Sequence, residues 1–130
     1  MIVDTSALVA VLRGEPEAGR YLAVLARAQT PRISAGTYLE AAIVVDLNHD
    51  PVLSARFDDF LSTAGIAIEP VTQRHAEIAR RAYRDFGKGS AHPAQLNFGD
   101  CFAYALARTS GEPLLYKGED FALTDLTPAA

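Results

Sequence analysis

Short apolar runs alternate with longer segments of helical periodicity along this chain of 130 residues. The first run, Ile2-Val3-Asp4, predicts a buried strand that ends in an acid. We predict further strands at Arg32-Ile33-Ser34, at Ile66 to Val71 (ended by Pro70) and at Pro113-Leu114-Leu115-Tyr116. Short strands that alternate with helices favour a mainly parallel central sheet flanked by helices on both faces. The pattern therefore predicts an α/β fold.

The segments between the strands carry apolar residues at three- and four-residue spacing, which predicts helices. They are Ala7–Leu12, capped by Thr5 or Ser6; Glu15-Pro16-Glu17 through Ala28; Tyr38–Leu47, with Leu39, Ala42, Ile43 and Leu47 on one side; Asp50-Pro51 through Leu61; a helix capped by Thr72 that includes Phe86; and Phe98–Ala107, stopped by Gly111. The last of these is apolar almost all round, which indicates a central buried helix. Gly87 to Leu96 is predicted to be a loop.

The composition limits the class of protein. A chain of 130 residues gives room for one domain over residues 1–130, and 49% hydrophobic with 22% charged residues is typical of globular proteins. No apolar run approaches the roughly 20 residues of a membrane-spanning helix, and the first residues do not resemble a secretory signal. The single cysteine excludes an internal disulfide and fits a reducing cytoplasm. A net charge of -4 argues against bulk coating of nucleic acid but permits an enzyme with a local basic surface.

Four acids from distant segments are predicted to meet at one edge of the sheet, because ligands gather outside the carboxyl ends of parallel strands. Asp4 ends the first strand, and Glu40 lies about one turn into the helix after the second. Asp100 is near the start of the buried helix, and the last strand returns Asp120 towards it. Clustered carboxylates repel one another unless a cation neutralises them, and oxygen ligands suit Mg²⁺ or Mn²⁺.

Each acid also has a structural interpretation when it is taken alone. Asp4 would be a turn or cap residue, Glu40 an exposed helix residue and Asp120 a surface loop residue. Asp100 is harder to explain in this way, because its neighbours look buried and a buried acid needs partners. Asp125 is a weaker candidate for the same corner and is predicted to be a turn residue.

Four motifs, in order along the chain, resemble the PIN-domain family and, within it, the VapC-type toxins of bacterial toxin–antitoxin pairs. They are Ile2-Val3-Asp4-Thr5-Ser6-Ala7-Leu8, Tyr38-Leu39-Glu40, Leu96-Asn97-Phe98-Gly99-Asp100-Cys101 and Leu115-Tyr116-Lys117-Gly118-Glu119-Asp120-Phe121. The resemblance covers essentially the whole chain. It implies an endoribonuclease that depends on Mg²⁺ or Mn²⁺, cleaves RNA with a metal-activated water, forms a homodimer and is silenced by a cognate antitoxin.

The resemblance also assigns roles by position. Asp4, Glu40 and Asp100 match the three core acids of the family, and Asp120 matches the more variable fourth. Ser6 matches a small hydroxyl residue near the metal, although it could instead cap the first helix. Because Glu119 precedes the fourth acid, the sequence leaves open which of Glu119 and Asp120 approaches the metal.

Three other features of the sequence bear on function. The densest basic stretch runs from Arg74 to Lys88 and either guides RNA or forms a solvated helix face; the candidate RNA contacts are Arg81, Arg84, Lys88 and His92. Cys101 is interpreted as a small buried core residue rather than a nucleophile. Histidines at 49, 75 and 92 lie on separate segments, which disfavours a zinc site.

Other function classes fit less well. A haloacid dehalogenase-type phosphatase needs a second aspartate two positions after the first, where this chain has Ser6. A receiver-like phospho-switch would place its acceptor aspartate at a mid-chain strand end, whereas the middle acid here is Glu40 on a predicted helix. A non-catalytic protein-binding module remains an alternative if the acids prove to be dispersed in the fold.

Overall fold

The computed structural model describes all 130 residues and contains one parallel sheet. Its strands are β1 (Ile2–Val3), β2 (Arg32–Ser34), β3 (Ala67–Glu69) and β4 (Leu114–Leu115). They lie in the order β3-β2-β1-β4, and every pairing is parallel. The predicted α/β class and parallel sheet are confirmed, and all four predicted strand positions hold a strand.

The helices that surround the sheet are α1 (Thr5–Leu12), α2 (Ala18–Arg27), α3 (Ala35–Asp46), α4 (Pro51–Thr63), α5 (Gln73–Phe86) and α6 (Asp100–Ser110), followed by a 3₁₀ helix at Phe121–Leu123. Every predicted helix is present. The predicted cap of α1 was wrong, because the Asp4 side chain, and not Thr5 or Ser6, accepts from a free backbone N–H of the first turn. α3 begins at Ala35 rather than Tyr38, because Ser34 caps it by accepting from the Gly36 backbone N–H.

Both faces of the sheet are buried at β1 and β4, although these strands contain only two residues each, whereas the edge strand β3 is largely exposed. Successive strand residues point to opposite faces. Val3 and Leu115 therefore join the core formed with α1 to α4, while Ile2 and Leu114 join the core formed with α5 and α6. All four side chains are fully buried.

The strand order creates a topological switch point at β1. The chain adds β2 and β3 on one side of β1 and then returns to add β4 on the other side. Ligands bind in the crevice outside the carboxyl ends of the strands at such a point. Asp4, which follows β1 directly, occupies this crevice, and the start of α6 lies beside it.

Helix α3 presents a second apolar surface to solvent. Its buried residues are Thr37, Ala41 and Val45. The side that carries Leu39, Ile43 and Leu47 is exposed, with accessible fractions of 59%, 49% and 66%. Such a stripe ordinarily faces a core, so its exposure indicates a surface available to a partner. None of the helices combines the length and the apolarity needed to cross a membrane.

Candidate active site

Asp4 is the most deeply buried acid of the crevice, with 3% of its surface exposed. Its Oδ2 accepts from the backbone N–H of Ser6 at 3.0 Å and from the Ser6 hydroxyl at 2.6 Å. Its Oδ1 is buried and has no hydrogen-bond partner. Burial raises the pKa of Asp4 to about 6, although the bonds from Ser6 oppose this shift. A buried carboxylate oxygen without a partner is costly unless a cation compensates it.

Ser6 links Asp4 to the loop after β4. Its Oγ donates to Asp4 Oδ2 and accepts from the Lys117 backbone N–H at 2.9 Å. The hydroxyl therefore holds the carboxylate in one orientation and does not cap α1. This arrangement explains why a small hydroxyl residue is suited to position 6.

Glu40 reaches the crevice from the middle of α3. Its Oε1 accepts from the Thr5 hydroxyl at 2.7 Å. Gly99 packs against the same carboxylate so closely that a Cβ at this position would lie 1.8 Å from Glu40 Oε2. The hydroxyl of Thr5 and the missing side chain of Gly99 together fix the position of the carboxylate.

Asp100 is the first residue of α6 and is oriented by Asn97. Asp100 Oδ2 accepts from the Asn97 backbone N–H at 2.9 Å, and Asn97 Oδ1 accepts from the Asp100 backbone N–H at 2.8 Å. Burial, together with the negative charges of Asp4, Asp120 and Glu40, raises the pKa of Asp100 to about 7. The predicted acids are therefore close enough to influence one another's ionisation.

The four predicted acids line one cleft of about 430 Å³. Its walls are formed by Asp4, Thr5, Ser6, Val9, Glu15, Glu40, Val44, Asn97, Asp100, Lys117, Asp120 and Phe121. The sequence left open whether Glu119 or Asp120 faces the other acids. Asp120 lines the cleft and Glu119 does not, which favours Asp120. Within the cleft, no three acidic, histidine or cysteine side chains already form a metal-binding group.

Seven lining residues were not predicted as site residues, and three of them are charged or amide side chains: Glu15, Asn97 and Lys117. Lys117 donates from Nζ to Glu15 Oε2 at 2.7 Å, and Glu17 Oε2 lies 3.3 Å from the same ammonium. Glu15 lines the cleft together with Lys117 and Asn97. Glu15 and Glu17 also fit the pattern of a helix start, and nothing in their spacing indicates a contact with position 117. The Asn97-x-x-Asp100 spacing is a detectable signal, because it permits reciprocal capping.

Two further sequence candidates lie outside the acidic cleft. Cys101 is buried, and burial together with the charge of Asp100 raises the pKa of its thiol to about 11. A thiol with this pKa remains protonated at neutral pH, which supports the interpretation as a core residue. Asp125 accepts from the Tyr104 hydroxyl at 2.7 Å, away from the other acids. It is therefore not part of the acidic corner.

The four candidate RNA contacts also lie outside the cleft lining. Arg81, Arg84 and Lys88 are exposed on α5 and the loop that follows it. His92 is half-buried. Its ring packs edge-to-face with the Phe86 ring, and the two ring centroids are 4.8 Å apart. The structure thus provides a basic surface beside the core of α5 and α6, separate from the carboxylates.

Comparison with known proteins decides the family, since the model of the PIN domain matches residues 1–126. The chain belongs to the PIN-domain family. This PIN domain is 54% identical over 129 residues to the ribonuclease VapC28 of Mycobacterium tuberculosis, which covers 99% of this chain and 97% of the relative. It is therefore a VapC-type ribonuclease, as the four motifs predicted.

Solved structures agree on the fold of this PIN domain. The M. tuberculosis toxin VapC20, described as cleaving the sarcin–ricin loop, superposes with a TM-score of 0.75 at 16% identity and covers 97% of this chain and 95% of its own. A toxin–antitoxin complex from Klebsiella pneumoniae gives a TM-score of 0.71 at 23% identity, with coverages of 93% and 89%.

Proposed function

We propose that this VapC-type ribonuclease is a single nuclease domain over residues 1–130 that hydrolyses RNA with a divalent metal, Mg²⁺ or Mn²⁺. Asp4, Glu40 and Asp100 would hold the ion, with Asp120 at the rim. The observation that carries the proposal is the buried, unpartnered Oδ1 of Asp4 in a cleft whose lining includes four other carboxylates. An all-oxygen donor set of this kind suits Mg²⁺ and Mn²⁺.

The residues around the acids supply orientation. Ser6 fixes Asp4, Thr5 fixes Glu40 and Asn97 fixes Asp100, each through a hydrogen bond of 3.0 Å or less. These contacts leave the remaining carboxylate oxygens for a ligand. When bound, a divalent ion would polarise the phosphate and lower the pKa of an attacking water. The oriented carboxylates would hold the ion inside the cleft.

The cleft lining argues against other hydrolytic mechanisms. No histidine lines the cleft, so a ribonuclease mechanism based on paired imidazoles has no residues to use here. The Cys101 thiol is buried and protonated at neutral pH. These features leave the carboxylates as the groups that can act on a substrate in the cleft.

We further propose the partners that the family resemblance implies. An antitoxin is supported by the structural likeness to a toxin–antitoxin complex, and the acidic cleft fits a basic antitoxin tail. A homodimer is supported by the exposed apolar stripe of α3. Because the proposed substrate is cellular RNA, we propose that the protein acts in the cytoplasm. We also propose that RNA contacts the protein outside the cleft, at Arg81, Arg84, Lys88 and His92.

The proposal predicts that RNA cleavage requires Mg²⁺ or Mn²⁺ and that Ca²⁺ supports it poorly. Mg²⁺ demands near-octahedral geometry at about 2.0–2.1 Å, whereas Ca²⁺ accepts longer and more variable bonds. Ca²⁺ would therefore occupy the site but hold water and phosphate loosely. The measurement is cleavage of labelled single-stranded RNA with EDTA, Mg²⁺, Mn²⁺ or Ca²⁺.

Two variants control this experiment. Asp100→Asn should reduce cleavage at least about 100-fold, because even loss of a residue that only supports a metal ligand costs about 10- to 100-fold. Glu119→Gln should retain most activity, because Glu119 does not line the cleft. Full cleavage in EDTA that disappears in Asp100→Asn would show a metal-independent enzyme and refute the proposal.

A further inference from the structure

Lys117 is the only basic side chain that lines the acidic cleft. Its ammonium donates to Glu15 Oε2 at 2.7 Å and lies 3.3 Å from Glu17 Oε2. The Lys117 side chain is 37% exposed, and the two glutamates are 29% and 31% exposed. The ammonium is therefore held on the cleft wall and remains accessible from solvent.

The charge of the cleft explains why a cation at this position matters. Carboxylates from Asp4, Glu15, Glu40, Asp100 and Asp120 form part of its walls. An RNA strand that enters brings further negative charge, one for each phosphate. Protein cations that contact phosphates supply much of the affinity for nucleic acid. Lys117 is the one side chain of the cleft that can do so.

We propose that Lys117 binds a phosphate oxygen of the RNA strand inside the cleft, with Glu15 and Glu17 fixing its ammonium for this contact. An ammonium carries three N–H donors. Glu15 accepts from one of them and Glu17 Oε2 lies 3.3 Å from the ammonium, so at least one donor is left for a phosphate. Because the long side chain is already held, it loses less conformational entropy when the phosphate binds.

The ion pairs also favour the charged form of the lysine. The hydrogen bond to Glu15 is the main cause of a raised Lys117 pKa, and Glu17 adds to it. The inference rests on the proposed function, because it requires RNA in the acidic cleft. It concerns binding rather than bond cleavage, so it can be tested without turnover.

A purely structural role would leave a different signature. The Lys117 backbone N–H donates to Ser6, and its side chain donates to Glu15. In a purely structural role, the side chain would act as a strut that ties Glu15 and Glu17 to the loop that carries Asp120. A strut would affect stability and kcat through the position of Asp120. A phosphate contact would affect RNA affinity and its dependence on salt.

The experiment measures binding of a short fluorescent single-stranded RNA by anisotropy, in EDTA and in Ca²⁺, over a series of salt concentrations. Each phosphate contact adds about 0.7 to the slope of log Kd against log salt for single strands. Lys117→Gln should weaken binding and lower this slope by about 0.7, whereas Lys117→Arg should retain the slope. In Mg²⁺, Lys117→Gln should raise KM more than it lowers kcat.

Arg27→Gln is the matched control. Arg27 is exposed at the end of α2, so this substitution removes one positive charge at a position away from the cleft. Equal slopes for Lys117→Gln and the unsubstituted protein, or an equal loss in Arg27→Gln, would overturn the inference. A lower melting temperature and kcat with an unchanged slope would show a strut and would also overturn it. If the protein binds RNA but never cleaves it with metal, the proposed function fails while the slope comparison still decides the role of Lys117.

Discussion

Asp4 uses one carboxylate oxygen to cap α1 and leaves the other without a hydrogen-bond partner. As the cap of α1 it uses Oδ2 to accept from the Ser6 backbone, and this bond favours the charged carboxylate. Its buried Oδ1 has no partner, and burial raises the pKa of the group to about 6. The helix cap thus holds in place a carboxylate whose charge the metal-free protein stabilises poorly.

This conflict predicts the pH dependence of stability in the metal-free protein. A carboxyl with a raised folded-state pKa binds its proton more tightly when folded, so the free energy of unfolding falls as pH rises between about 4 and 7. For Asp4 the shift from 3.8 to about 6 corresponds to roughly 2 to 3 kcal/mol at most. In EDTA the protein should therefore melt at a higher temperature at pH 5 than at pH 7.5.

Metal and a matched variant test the cause. Mg²⁺ should restore stability mainly at the higher pH, because a ligand that binds only the folded state stabilises it and competes with protons. Asp4→Asn should weaken the pH dependence, leaving the part that comes from the raised pKa of Asp100, and should remove the response to Mg²⁺. Asp58→Asn, at an exposed position on α4, should change neither. A melting temperature in EDTA that rises from pH 5 to 7.5 would contradict this account.

The geometry of the site depends on how closely α6 approaches α3. Gly99 immediately precedes α6, and the Glu40 carboxylate of α3 occupies the space where a side chain would begin. Gly99→Ala should displace Glu40 and reduce metal-dependent cleavage by about 10-fold or more, as for other residues that orient a metal ligand. Cleavage assays and melting curves would measure the effect.

Gly19→Ala is the control for this change. Gly19 lies within α2, and a Cβ there would meet nothing within 4 Å. Alanine should stabilise that helix slightly, by up to about 1 kcal/mol, and leave cleavage intact. Full activity in Gly99→Ala would mean that Glu40 does not need its observed position.

The elements themselves could be predicted well from the sequence, but their packing could not. Alternation of short apolar runs with helical spacing identified each strand and each α-helix, because both signals are local, but it did not indicate the 3₁₀ helix at Phe121–Leu123. The buried side of α3 was not identified, because Ala41 and Val45 carry as regular a spacing as Leu39 and Ile43. Small residues are buried where α3 packs closely against its neighbours, and the larger apolar residues remain outside. Local periodicity cannot distinguish these two stripes.

The same limit applies to the site. The four acids, Asp4, Glu40, Asp100 and Asp120, could be predicted to lie together. The location of each one depends only on where its strand or helix meets the carboxyl edge of the sheet. The pairing of Lys117 with Glu15 and Glu17 depends on side-chain reach between two loops, which no spacing rule describes. Sequence reasoning therefore predicted the acids and missed the cation beside them.

The exposed apolar stripe of α3 predicts a homodimer. Leu39, Ile43 and Leu47 lie at four-residue spacing and are exposed in the single chain. A second copy that covers this stripe would remove apolar surface from water, at roughly 25 cal/mol per Å². In light scattering after size exclusion, the protein should have the mass of two 13.9 kDa chains.

Ile43→Glu should convert the dimer to monomers, because it places a charge at the centre of the stripe. Burial of an unpaired carboxylate costs several kcal/mol, which exceeds what one contact can return. Val71→Glu makes the same change at another exposed apolar position, outside α3, and should leave the dimer intact. Because Glu40 belongs to the same helix, cleavage by the Ile43→Glu monomer would also report whether dimerisation supports the site. If the unsubstituted protein is a monomer, or if the dimer survives Ile43→Glu, then the stripe of α3 is not a homodimer interface.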